Sequence, residues 1–185
     1  MNKFFRRILL TIILITGSLI IQAQELKITN LKASSGKIYL VKYSSFNIDS
    51  LQYIDREYRF KEIPDFLIGK TLIMTAGNDK MFEEHEICFS FNVNKNVIIH
   101  VLYADKYPVL PKWLKKFKKT DKKVYRNDSS FETIKGIFTV YSKKYRKGNI
   151  KINGCLGKGI KTPEFVSNGG SGYCMFSVVV EEDVD

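Results

Sequence analysis

Past residue 24, apolar residues recur at alternate positions or in short unbroken runs, and no segment keeps a helical apolar period over three turns. The runs that read as strands are LKITNLKA from Leu26, KIYLVKYS from Lys37, TLIMTA from Thr71 and EICFSFNV from Glu86, then NVIIHVLYA from Asn96, IFTVYSKKY from Ile137, NIKING from Asn149 and YCMFSVVV from Tyr173. Short strands in this number, parted by turn residues, predict an all-β chain folded as a single antiparallel β-sandwich or jelly roll. In NVIIHVLYA both alternating sets are largely apolar, which predicts a central strand covered on both faces, with His100 packed on the side of Ile98 and Leu102. Breakers mark the joints at Ser34 to Gly36, Ile63-Pro64-Asp65, Gly77-Asn78-Asp79, Pro108 to Pro111 and Gly148-Asn149. The longest loop runs from Gly154 to Gly172. Its glycines predict mobility and no phosphate site, because no strand, tight turn and helix surround them.

The first residues follow a different pattern. Lys3, Arg6 and Arg7 precede an unbroken apolar stretch from Ile8 to Ile15, and small residues follow. This order is that of a secretory signal, with Ala23 as the expected last residue and Gln24 as the mature start. A retained membrane anchor needs about 20 apolar residues, and Gly17, Ser18 and Gln22 interrupt this stretch. The expected organisation is therefore a signal peptide over 1–23 and one β-sandwich domain over 24–185, secreted, periplasmic or attached to the envelope, with no membrane span in the mature chain. The mature length suits one core and is too short for two comfortable ones.

Export changes the reading of charge and cysteine. The chain has a formal net charge of +11, and loss of three basic residues with the signal leaves +8. Such a field favours anionic partners outside the cytoplasm. It is concentrated between Lys112 and Lys123, in KWLKKFKKTDKK, while the chain ends on the acidic EEDVD. Cys88, Cys155 and Cys174 would meet oxidising conditions. A bridge between Cys155 and Cys174, closing the glycine-rich loop, and three free buried thiols are both open. The cysteine spacing matches no zinc motif, and with only His85 and His100 as histidines neither a metal nor a cofactor is expected.

The most distinctive stretch is YIDREYRF, in which Asp55 and Arg56 lie among Tyr53, Tyr58 and Phe60. Ile63-Pro64, Thr75-Ala76 with Asp79-Lys80, the pair Phe89 and Phe91, Tyr103-Ala104-Asp105 and Pro111-Lys112-Trp113-Leu114 follow in order. Together these resemble a β-sandwich module that recurs in secreted bacterial proteins degrading or binding polysaccharides. The resemblance runs over residues 50–153 and the closing strand 173–180. It implies an accessory, carbohydrate-binding domain rather than a catalytic one. Two departures are expected to matter: no catalytic domain is expected beside the module in a chain of this length, and the Trp113 turn runs into the lysine-rich segment.

Sugar binding on a sandwich needs an exposed aromatic face for the apolar side of a pyranose and planar polar groups for its hydroxyls. Tyr58, Tyr103 and Trp113 are the aromatic candidates, and Asp55, Arg56, Asn78, Asp79 and Asp105 the polar ones. The competing reading makes Trp113 a plug for the sandwich end and the Asp-Arg set a salt-bridge network that pins loops. Lys115 and Lys116, with the lysines after them, either grip an anionic polymer or form a solvated loop or short helical turn. No nucleophile with a base is evident. Glu83, Glu84, His85 and Glu86 form the only dense acid-base cluster, and neighbours in a turn project apart, so no catalytic residue is assigned. The expected function is a non-catalytic module for a polysaccharide or other anionic extracellular polymer. The alternatives are an interaction domain for an envelope protein and a small polysaccharide-active enzyme. Nucleic acid is not expected as a partner.

Overall fold

The computed structural model describes residues 24–128, 131–160 and 173–184. The expected signal segment 1–23, and the part of the glycine-rich loop from 161 to 172, lie outside the described residues. The strands are β1 Ile28–Ala33, β2 Leu40–Lys42, β3 Arg59–Glu62, β4 Thr71–Met74, β5 Ile87–Val93, β6 Val97–Ala104, β7 Lys118–Asp128, β8 Phe131–Tyr145, β9 Gly148–Asn153 and β10 Ser177–Glu182. They form an antiparallel three-stranded sheet in the order β1-β5-β9 and an antiparallel seven-stranded sheet in the order β2-β4-β10-β6-β8-β7-β3. The expected all-β antiparallel sandwich is the fold.

The core follows from the alternation. On β5, Phe89, Phe91 and Val93 are buried, and a register shift between Ile87 and Phe89 buries Cys88 beside them. Phe89 reaches from the small sheet to Phe176 and Tyr39 beside the large one, with ring centroids 6.3 Å and 5.3 Å away. Each such ring removed from water contributes about 1.5–3 kcal/mol, so the two sheets are held together chiefly by these aromatics.

Strand β6 lies between β10 and β8, as a strand apolar on both sets should. Its second face is covered by the 3-10 turn Asp65–Leu67, whose Phe66 meets the His100 ring edge-on at 5.6 Å. His100 is 3% exposed, with Nδ1 2.8 Å from Ser142 Oγ and Nε2 3.0 Å from Glu181 Oε2. Burial holds the His100 imidazole below its ordinary range.

Two strands carry no apolar alternation and are not evident in the sequence. β3 reads RFKE, and β7 reads KKTDKKVYRND. The chain over Lys112–Lys123, expected as a loop or short helical turn, is a 3-10 turn only at Leu114–Lys116 and becomes strand β7 from Lys118. What makes it a strand is the ladder to the long β8, which tolerates three register shifts along the pairing. Of the two open readings of the cysteines, the structure has the second, with all three free and buried. Cys155 Sγ turns to Met175 Sδ at 3.4 Å while Cys174 Sγ accepts from Arg126 Nη2 at 2.7 Å, so the two thiols face different partners. Burial pushes the Cys88 thiol up to about 12. Among the described residues no helix is long and apolar enough to cross a membrane.

Candidate functional site

The residues singled out by the sequence fall into two groups at the ends of β7. The first is built on residues 53–58, 77–80, 103–107 and 173–175. Asp55 Oδ1 accepts from the Gly77 amide at 2.8 Å, and Arg56 lies across Gly77 to reach Asn78 Oδ1. A Cβ on Gly77 would fall 2.5 Å from Arg56 Nε, so only glycine lets the arginine cross there. Asp55, Arg56 and Asn78 are thus brought together, partly exposed, and they do pin two loops.

Segment 173–175 gathers the rest of this end. Tyr53 Oη donates to the Met175 carbonyl at 2.7 Å, Tyr107 Oη to the Cys174 carbonyl at 3.2 Å, and Lys80 Nζ to the Tyr173 carbonyl at 3.3 Å. Tyr58, half-buried, takes the Arg126 guanidinium over its ring at 4.2 Å. Burial drives the Tyr53, Tyr103 and Tyr107 hydroxyls far above the ordinary phenol range, so they act here as hydrogen-bond donors.

Two residues proposed to face a ligand are inside instead. Tyr103 is 3% exposed, stacks with Tyr107 at 4.8 Å and donates to the Cys155 carbonyl at 2.7 Å. Asp79 is 3% exposed and accepts from Ser35 Oγ, Lys37 Nζ and Tyr39 Oη, each at 2.6 Å. That carboxylate ties the chain before β2 to the 3-10 turn Gly77–Met81, and its burial keeps it from a sugar hydroxyl at the surface.

The second group surrounds the start of β7. Trp113 is half-buried, donates from Nε1 to the Gly154 carbonyl at 2.9 Å, and meets Phe117 and Phe176 edge-on at 5.7 Å and 5.6 Å. It plugs the sandwich, as the competing reading had it. Lys115 and Lys116 in the same turn, and Lys118, Lys119 and Lys122 on the strand that follows, are all exposed. Lys143 Nζ lies over the rings of Phe117 and Tyr145 at 5.6 Å and 5.1 Å, a cation–π arrangement that adds a further charge to this surface. Asp105 sits at the next step along the sheet, accepting from Lys123 Nζ and Thr139 Oγ1.

The Glu83–Glu86 cluster is a turn. His85 is exposed with Nδ1 3.4 Å from Glu83, Glu86 accepts from the Glu83 amide at 2.7 Å, and Glu84 accepts from the Lys112 amide at 2.6 Å. Ser142, His100 and Glu181 form a hydrogen-bonded row across β8, β6 and β10. Ser142 lies where β8 is paired on both sides, so its backbone amide is committed to the ladder and offers no oxyanion donor. Among the described residues no group of three His, Cys, Asp or Glu is placed to hold a metal.

Sequence reasoning missed Arg126, Lys80, Tyr107, Tyr173 and Lys143. Arg126 carries no signal within the charged stretch KKVYRND, since its burial depends on Gly136 opposite it in the β7–β8 register.

No protein family matches the chain, and no curated relative does. Among solved structures, 83% of this chain superposes on 14% of a β-glucuronidase from glycoside hydrolase family 2, with a TM-score of 0.64 at 18% identity. A GH138 enzyme targeting pectin rhamnogalacturonan II aligns over 86% of this chain and 17% of its own length, with a TM-score of 0.48 at 12% identity. The chain thus spans about one-seventh of the length of the first of these and one-sixth of the second. At these identities the first likeness establishes the β-sandwich fold and nothing beyond it.

Proposed function

We propose that this protein is an exported, non-catalytic carbohydrate-binding β-sandwich that takes an acidic polysaccharide. The observation that carries the reading is the cluster of exposed lysines in the Trp113 turn and at the start of β7, Lys115, Lys116, Lys118, Lys119 and Lys122. Point charges on long stems match a diffuse anionic chain, and they need no fixed geometry to do so. Asp121, 3.5 Å from Lys122, and Asp105, paired with Lys123, offset this surface only in part. The resemblance to accessory modules of polysaccharide-degrading proteins supports the reading, as does sharing a fold with part of a β-glucuronidase.

Affinity electrophoresis through gels containing polygalacturonate, a sulfated glycan or neutral xylan tests this. Retardation by the acidic gels and not by xylan is the expected result. Equal mobility in all three would remove the proposal.

A second reading, a protein-interaction domain of the cell envelope, draws on a different observation. Among the described residues β2 has a strand partner on one side only, and around it Ile38 is 81% exposed, with Leu40, Tyr43 and Ile48 also exposed. An open apolar edge suits strand addition by a partner. Under this reading an Ile38→Lys, Leu40→Lys variant loses a stoichiometric envelope partner while its migration in the acidic gels is unchanged.

A further inference from the structure

β3 closes one end of the seven-stranded sheet while β4 stands next to the other end, so the chain between them, residues 63–70, has to cross the face of the sheet. Between this strap and β7 runs a groove of about 650 Å³, open to solvent. Sites for small molecules span about 300–1,000 Å³. Glu62 and Tyr125, register partners across β3 and β7, both line it. Two irregularities shape its walls. Lys119 pairs with Tyr141 and Lys123 with Thr139, so four steps along β7 match two along β8 and the residues between them bulge. Asp121 and Lys122, in that bulge, stand exposed and line the groove. The β3 register shifts as well, between Phe60 and Glu62. Bulges re-aim side chains that a regular ladder would hold in line.

The strap supplies the apolar surface. Phe66 lines the groove, is 39% exposed, and rests edge-on against the buried His100 at 5.6 Å, so its ring is backed by the sheet and open to solvent. The polar groups around it are mostly carboxylates. Glu62 and Asp65 are exposed and enter no ion pair among the described residues. Asp121 lies 3.5 Å from Lys122, and the Lys123 ammonium is already given to Asp105 and to Thr139 Oγ1. Such a groove repels the carboxylate of a uronate. A neutral pyranose finds in it what it needs, a ring for its apolar face and acceptors for its hydroxyls. Lys119 lies three residues before Lys122, within about 10 Å along the strand, so one polymer chain spans the groove and the lysines.

We propose that this groove holds a neutral sugar residue of the bound polysaccharide while acidic residues of the same chain lie on the lysines of β7, so that the ligand is a heteropolymer of neutral and acidic sugars. The inference rests on the acidic-polysaccharide reading and narrows its substrate class. Lysines read charge density, which any polyanion supplies. The groove adds a preference that net charge cannot give, since its carboxylates favour a residue carrying only hydroxyls over one carrying a carboxylate. By itself it is a single stacking contact, too weak to hold a neutral polymer such as xylan in a gel.

The test is affinity electrophoresis of the protein in gels of hyaluronan, whose glucuronate residues alternate with neutral N-acetylglucosamine, and of polygalacturonate, in which every residue is acidic. Both should retard the unchanged protein. Phe66→Ala should weaken the hyaluronan interaction about five-fold and the polygalacturonate interaction by less than about two-fold. A double variant, Glu62→Ala with Asp65→Ala, serves if loss of the Phe66 ring loosens the strap. It is more positive than the unchanged protein, so it should bind polygalacturonate more tightly, yet hyaluronan less tightly. Equal changes for the two polymers in either variant, or retardation of the unchanged protein by polygalacturonate alone, overturn the groove and leave the lysine surface standing. Free migration of the unchanged protein in both gels removes the acidic-polysaccharide reading itself, and the groove with it.

Discussion

The two ends of β7 carry positive charge in opposite ways. At its start, lysines stand in water in and after the Trp113 turn, where ordinary salt screens them and no single one matters. Near its end, Arg126 is buried against Tyr58 and Phe138 in space that Gly136 leaves open. The contrast shows that net charge says little about recognition until burial is known. An exposed cluster attracts polyanions as a class, whereas a buried guanidinium constrains both the group it meets and the angle of approach.

The largest effect is expected from removing the plug that holds the lysine-bearing turn on the sandwich. Trp113→Ala should cost about 3–5 kcal/mol in urea denaturation, and it should weaken retention in acidic gels with every lysine still present. A small loss with full retention would mean that the lysines need no such plug.

Two buried charges sharpen the contrast at the next level. Asp79 accepts from three partners, so Asp79→Ala leaves the buried Tyr39 hydroxyl without its acceptor and should cost about 1–3 kcal/mol. Arg126 has no carboxylate partner among the described residues, so Arg126→Met should leave stability unchanged or raise it by about 1 kcal/mol. Equal losses in the two variants, measured by the same denaturation, would show Arg126 to be an ordinary structural ion.

The smallest effect concerns pH and separates stability from binding. Burial depresses the His100 pKa in the fold, so above the unfolded value near 6.5 its contribution is fully present. Below that value the unfolded chain takes up a proton that the fold refuses, and stability falls as pH drops toward the folded value. Glu181 is held low against its own burial by Lys70 and His100, and it adds a second decline below the ordinary carboxylate range. His100→Phe should flatten the first decline in midpoint-against-pH measurements and shrink the second to the part that Lys70 supplies. A slope near pH 6 that persists in the variant would assign it elsewhere.

The fold was largely legible because the strands that bury a face advertise it. EICFSFNV and NVIIHVLYA alternate or run apolar, and they became β5 and β6, with β6 covered on both faces as its pattern required. β7 was not legible because its register partner β8, and not an apolar face, makes it a strand. The site was legible in part. Asp55, Arg56 and Asn78 do come together, and Trp113 is a plug. Tyr103 and Asp79 went inward because their polar atoms found partners far away in sequence, at Cys155 and at Ser35 to Tyr39. Arg126 could be found only through Gly136, and that pairing exists only once the two strands are aligned.

The central claim is that the exposed lysines at the start of β7 bind an acidic polysaccharide. Its most direct test is affinity electrophoresis on polygalacturonate with Lys115, Lys116, Lys118 and Lys119 changed together to Gln, run beside the unchanged protein across a salt series. The account predicts strong retardation that weakens with salt in the unchanged protein and is nearly absent in the variant. Retardation that ignores salt, or that the variant keeps in full, would contradict it.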